Sequence, residues 1–257
     1  RGPVPGDPRT KKILLKERKA LARPGRDPDP LPLLSGPDRI QSFLARTLEQ
    51  ASRVQALTQL LGIFGMGGDP NRLKDLESIR SDHHFFKAGA KLWELEVLGL
   101  DKYSQKIARF NLPAILEVSH EHQIRYLVIE EITSQGEYVV QGTASRVKIR
   151  QQDLAPFLGQ RAFLVWKNIF GYPGVIAPGS SSGAIISLKL ALKKQGFLFL
   201  DLEPVYDQAL VRAVKTFQAD HGLASDGLAG PMTKIMLFSK IRGRQKSVPS
   251  THKGIEP

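Results

Sequence analysis

Few residues of this chain have the type and spacing to do covalent chemistry. There is no cysteine, so disulfides, thiolate zinc sites and a cysteine nucleophile are all excluded. His83-His84 and His120-Glu121-His122 are the only clusters that suggest a metal. Neither supplies a third ligand at a helical or zinc-motif spacing, and both fall in polar stretches, so they read as surface histidines. No HExxH, GxSxG or GxxxxGK[ST] occurs, which leaves metalloprotease, α/β-hydrolase and P-loop readings without their central residues. The run Gly65 to Asp69 (GMGGD) is glycine-rich but follows a helical pattern rather than a strand, a poor cradle for phosphate. No metal and no cofactor is expected.

Charge narrows the partners. The 257 residues carry a net charge of +12, but residues 1–30 hold nine Lys or Arg against four acids and residues 239–257 hold five against one. The tails therefore contribute +9, and the body between them is nearly neutral. Basic residues interleaved with exposed aromatics, which a nucleic-acid face needs, do not occur between Arg39 and Phe238, and no nucleic acid is expected as a partner. The longest apolar runs fall short of the roughly 20 residues that span a bilayer. With neither an initiator Met nor an N-terminal apolar signal region, the sequence reads as a piece of a longer chain.

The elements that must position any site follow from periodicity. Eight prolines before residue 38 predict a Pro-rich basic tether over 1–37. Asp38 with Gln41 has the spacing of a capping box, and apolar residues at three- and four-residue intervals from Ile40 to Leu61 predict an amphipathic helix ended by Gly62. A second helix is predicted from Phe85 to Val97, with Gly99 as its stop. From Leu112 the texture changes to short β-branched and aromatic runs, 113–118, 125–131, 137–141, 146–149 and 161–166, which predict an antiparallel meander. Helices followed by strands make 38–170 an α+β domain. The Gly, Pro and Ser residues of 171–183 predict a flexible linker, and 239–257 a basic tail. Between them, 184–238 shows three helical stretches. Leu210, Val214, Phe217 and His221 share one face, and Pro231 occupies a first helical position, where its missing donor costs nothing.

That last segment carries the informative motif. AVKTFQADHGLASDGLAGPMT (213–233) resembles the three-helix peptidoglycan-binding domain at nearly every fixed position of the family pattern. Read physically, Phe217 is a core anchor, Gly222 a helix terminator and Asp226-Gly227 a tight turn. The resemblance implies binding of cell-wall glycan or its stem peptides in a shallow polar groove. Arg212, Gln218, Asp226 and Thr233 are its candidate contacts, with Arg212 facing a stem-peptide carboxylate.

The 38–170 region is similar to the papain-like peptidase domain of bacteriocin-processing transporters. The correspondence runs through Ser52 to Gly65, LPAIL (112–116), RYLVI (125–129) and EYVVQ (137–141). Ser52 or Arg53 stands near that family's Cys, Arg125 at its His, and Gln141 or Gly142 at its Asp. With thiolate, imidazole and carboxylate all replaced, no activated nucleophile remains. The resemblance thus implies a pseudo-peptidase, catalytic residues none.

In this order, tether, cysteine-free peptidase-like domain and wall-binding domain resemble the periplasmic half of the general secretion pathway protein A family over about 38–238. That resemblance implies a periplasmic location tethered to the inner membrane through a segment absent here. It also implies help in inserting the type II secretion secretin through the cell wall. Its expected partners are peptidoglycan, a companion inner-membrane B protein and, indirectly, the secretin. A homo-oligomer is also an expectation, because several weak wall contacts on one ring gain avidity. Two other classes stand beside this one: a cell-wall hydrolase or its targeting subunit, and a polyanion or nucleic-acid binder acting through the basic tails.

Overall fold

In the computed structural model, residues 31–48, 52–101, 104–120, 123–142 and 145–247 are described. The proline-rich stretch before residue 31, the segment Glu121-His122 and the end of the chain after residue 247 lie outside them. The fold is α+β. Seven strands form one sheet: β1 (Leu33–Leu34), β2 (Leu95–Asp101), β3 (Ala114–His120), β4 (Gln123–Ile132), β5 (Glu137–Gln141), β6 (Arg146–Arg150) and β7 (Leu158–Lys167), in the order β1-β6-β5-β4-β3-β7-β2. The expected meander is β3 to β6. β7 returns to pair with β3, and β1 is the single parallel neighbour, so the sheet is mixed.

Three expectations are corrected here. Leu33-Leu34 pairs with Lys148-Ile149 and is part of the sheet rather than of a tether reaching to residue 37. The long first helix is two helices, α1 (Pro37–Leu48) and α2 (Arg53–Ile63). Pro37 occupies the first position of α1, which places Asp38 inside the first turn instead of at the cap. The region from Leu95 to Asp101, expected to finish a helix, is the edge strand β2, antiparallel to β7 with Val97 opposite Val165 and Gly99 opposite Phe163. The helix before it, α4 (Asp82–Lys91), ends early because Glu94 takes a left-handed conformation at φ 56° and redirects the chain. Gly99 is required there. A Cβ at this position would lie 2.5 Å from Nδ1 of His83.

Short helices α3 (Pro70–Lys74), α5 (Ser104–Phe110) and α6 (Gln151–Leu154) complete the first part. The C-terminal part is α7 (Ser182–Lys193), α8 (Gln208–Asp220) and α9 (Pro231–Ser247), at the expected places. α9 runs well past residue 238, however, so 239–247 is helix and not tail. The sheet is apolar on both faces. Ile115, Tyr126, Val128, Phe163 and Val165 pack on one side with residues of α2 and α4. Leu116, Leu127, Ile129, Leu164 and Trp166 belong on the other side to a core shared with α1 and with α7, α8 and α9. The Trp166 and Phe238 rings lie 6.3 Å apart across that junction.

The segment 171–183 is held down. Lys234 in α9 is 1% exposed, and its ammonium donates to the carbonyls of Tyr172 (2.7 Å), Pro173 (3.4 Å) and Gly174 (3.0 Å). Ile176 pairs with Ala229 as an isolated antiparallel bridge. The flexibility expected from the glycines and prolines is thus overridden by a buried cation that gathers three carbonyls. Burial lowers the pKa of Lys234, partly opposed by Glu96. Replacing it, Lys234→Met, removes the donor to the Pro173 and Gly174 carbonyls and leaves Tyr172 O with Asn168 Nδ2 alone. The expected outcome is a loss of about 2–3 kcal/mol in denaturant unfolding together with new proteolytic cleavage inside 171–183. Unchanged stability and an intact segment would show that the ammonium holds nothing.

Candidate functional site

The 213–233 motif folds into a knot of hydrogen bonds around one carboxamide. α8 begins at an Asp207 cap, whose side chain accepts from Leu210 N, and ends at Gly222 in the left-handed region at φ 57°. One turn before that end, Gln218 is 2% exposed. Its Nε2 lies 2.8 Å from Asp226 Oδ1, 2.9 Å from Leu228 O and 3.1 Å from Thr233 Oγ1, while its Oε1 accepts from Gly227 N at 2.9 Å. Asp226 Oδ1 also accepts from Leu228 N, closing a turn that Gly227 makes at φ 79°. Tyr206 adds its hydroxyl to the Gly227 carbonyl at 2.8 Å.

This geometry divides the four expected ligand contacts. Gln218 and Thr233 are buried, 2% and 4% exposed, and their polar atoms are spent inside the module, so they position the fold and cannot reach a ligand. Asp226 is exposed but uses one oxygen internally. The Leu228 amide and then Gln218 hold its carboxyl below the usual value of 3.8. Arg212 is exposed on α8, six residues from Gln218 and therefore about 240° around the helix, on a different face. No hydrogen bond joins Arg212 to the other three among the described residues.

Sequence reasoning missed the junction between the two parts. Arg109 of α5 donates from Nε to the His221 carbonyl at 3.1 Å, and from Nη2 to the carbonyls of His221 and Gly222, capping the end of α8 from the sheet side. A Cβ on Gly222 would lie 2.6 Å from that guanidinium, so the glycine serves the junction as well as the helix end. Ser239 donates to the Phe110 carbonyl, and Arg242 lies over the Phe64 ring at 4.5 Å. Beside this seam a cavity of about 500 Å³ opens, lined by Gln195, Phe197, Phe217, Asp220, His221 and Lys240, with Asn111 on the sheet side. The three helical stretches were visible in the sequence, but their meeting with the sheet part was not.

The residues at the peptidase-like positions are occupied locally. Ser52 is the N-cap of α2, its hydroxyl accepting from Gln55 N at 3.2 Å. Arg125 reaches Gln123 at 2.6 Å, and Gln141 sits in the β5 ladder opposite Val128 and Arg146. No hydrogen bond joins Ser52, Arg125 and Gln141 among the described residues. Nearby, Arg53 reaches Asp82 at 3.5 Å and lies 4.6 Å over the Phe85 ring. Arg161 bridges Asp82 (2.7 Å) and the buried Glu117 (2.8 Å). Burial, and then its hydrogen bond to Asp82, raises the Tyr126 pKa, keeping that phenol protonated. In this network two carboxylates are paired with two guanidinium groups. His83 packs against His84 and Phe163, with its pKa lowered chiefly by burial, and no group of three or more metal-binding side chains occurs among the described residues.

Residues 181–237 match the family model described as "Putative peptidoglycan binding domain". No curated protein matches the chain. Among solved structures, the chain is similar to a periplasmic domain of the EpsAB fusion protein of the Vibrio vulnificus type II secretion system. Identity is 18% over 84% of this chain and 92% of that one, with a TM-score of 0.54, a likeness of fold. Lesser likenesses, at TM-scores of 0.37 and 0.38, are to the N-terminal peptidase C39-like domain of a toxin secretion ATP-binding protein from Vibrio parahaemolyticus and to the peptidase domain of Streptococcus ComA. The first is 22% identical, covering 45% of this chain and 95% of that one; the second is 11% identical, covering 46% and 91%. No helix among the described residues is long and apolar enough to cross a membrane.

Two measurements check the hydrogen-bond knot. Gln218→Leu strips partners from Gly227 N, Leu228 O and Thr233 at once and is expected to cost about 3 kcal/mol, read as a fall of roughly 6–12 °C in Tm. A carboxylate with a lowered folded pKa stabilises above its unfolded value and loses that contribution as pH falls through the folded one. The wild type should therefore lose stability below pH 3.8 more steeply than Asp226→Asn, and parallel acid limbs would contradict the role given to Asp226.

Proposed function

We propose that this chain is a non-catalytic, peptidoglycan-binding periplasmic module that helps assemble or insert the type II secretion secretin through the cell wall. The observation that carries the reading is the match of residues 181–237 to a peptidoglycan-binding family, on a segment that folds into the three helices the motif requires. The fold shared with a periplasmic domain of a type II secretion protein supports the secretion context. Attachment to the inner membrane through a segment outside this sequence, a companion inner-membrane B protein, and indirect contact with the secretin belong to the same proposal, as does self-association.

The front part acts in this reading as a pseudo-peptidase body. The loss of Cys, His and Asp at the resembling positions, the use of Ser52 as a helix cap and the self-paired Asp82 network support a scaffold rather than a hydrolase. Arg212 and the outer oxygen of Asp226 are the expected motif positions still open to a wall ligand. The wall module is also no detachable appendage, since α9 and the sheet share a core.

Sedimentation with purified sacculi tests the whole. The full chain is expected to pellet with sacculi, to release no soluble muropeptides, and to lose several-fold in apparent affinity on Arg212→Glu while its circular dichroism stays unchanged. Muropeptide release would favour the hydrolase class. Binding that collapses with modest salt and ignores Arg212 would favour a polyanion binder.

A further inference from the structure

We infer that this chain associates with itself head to tail, the acidic, apolar loop 198–205 of one copy seating in the basic, apolar cleft that the front part forms with α7 and α9 of the next. The inference rests on the self-association in the reading above and gives it two surfaces. Wall binding is not required by it.

The loop between α7 and α8 turns apolar side chains to water. Leu198 and Phe199 are 73% and 67% exposed, and Leu202 and Val205 are exposed beside them. Large apolar residues clustered on a surface in this way mark an interaction site. The backbone holds them out. Leu200 is buried as an anchor, Lys193 donates to the carbonyls of Leu198 (3.1 Å) and Leu200, and the buried Lys189 ammonium reaches Asp201 at 2.5 Å. A loop already held loses little freedom on docking. Its charge is negative. Asp201 and Glu203 are the ionisable residues of 198–205, and Glu203 makes no salt bridge among the described residues.

The cleft carries the opposite sign. It is a cavity of about 480 Å³ with Phe64, Met66, Ile169 and Leu190 on its walls, and Ile169 and Leu190 are themselves exposed. Lys167, Lys194 and Arg242 line it too, and none of its lining residues among those described is acidic. Arg242 lies over the Phe64 ring and is attracted by Glu130 and Glu131, so the exposed Lys167 and Lys194 set the charge that an incoming segment meets. Such a cleft accepts a segment that brings carboxylates to the ammonium groups and large apolar side chains to the walls.

The loop 198–205 is a segment of that kind, but it does not line the cleft of its own copy. Lys189 and Lys193, which hold the loop, lie about 100° around α7 from Leu190 and Lys194, which line the cleft. A second copy supplies the loop instead. Because the two surfaces differ, the contact is heterologous, and repeating it closes a ring or extends a filament.

The test mixes two variants of the full chain. Lys167→Glu with Lys194→Glu spoils the cleft and keeps the loop, whereas Leu198→Ser with Phe199→Ser spoils the loop and keeps the cleft. In sedimentation velocity at about 0.1–1 mM, where weak contacts populate, the wild type is expected to form species larger than a dimer. Each variant alone should stay monomeric with the circular dichroism of the wild type. Mixed one to one, they share one sound loop and one sound cleft, and a dimer that grows no further is expected. A monomeric wild type, a loop variant that associates as the wild type does, or a mixture without dimer overturns the contact. If the wild type still pellets with sacculi in that event, wall binding stands and only the head-to-tail contact falls.

Discussion

A sheet that is apolar on both faces has to be covered twice, and that constraint organises this molecule. β3, β4 and β7 alternate large apolar side chains to each side, so each face exposed to water would forfeit the burial of several such residues, at roughly 1.5–3 kcal/mol apiece. The helices α2 and α4 cover one face. The other is closed by α1 together with the last three helices, which is why a module that the sequence presents as separate is built into the same core. The wall-binding part is in this sense a layer of the fold.

Once the two parts share a core, their meeting edge must satisfy backbone groups as well as apolar ones. It does so with cations from each side. Arg109 leaves the sheet part to cap the carbonyl end of α8, and Lys234 leaves α9 to gather the carbonyls of 172–174. Helix C-termini and stretched loops both present unpaired carbonyls, and a long basic side chain can reach them while its stem stays in the apolar layer. A segment rich in glycine and proline is rigidified by this arrangement.

The front part ties its buried charges to its own elements. Ser52 spends its hydroxyl on the Gln55 amide at the start of α2. The charged residues around it, Arg53, Asp82, Glu117 and Arg161, compensate one another across α2, α4, β3 and β7. A closed network of this kind holds helices on a sheet.

Local order was written plainly in the sequence. The five β-rich runs became strands and the three C-terminal helical stretches became helices, because period-2 and period-3.6 patterns, Gly stops and Pro at a first helical position act within a few residues. The turn at Asp226-Gly227 and the stop at Gly222 were legible for the same reason. Where a local signal competed with a neighbour, it failed: Val97 fit the end of a helix and Gly99 its stop, yet pairing with β7 claimed both, and Asp38 fit a cap that Pro37 pre-empted. The candidate contacts were legible as residue types in a motif but not by their exposure. Gln218, Asp226 and Thr233 came together as the spacing suggested, but only packing decided that two of them are buried and hold the turn. Only packing brought Gln195, Asp220 and Lys240 to one cavity. Side chains 45 residues apart meet by the docking of one helix on another, a contact that no short-range pattern encodes.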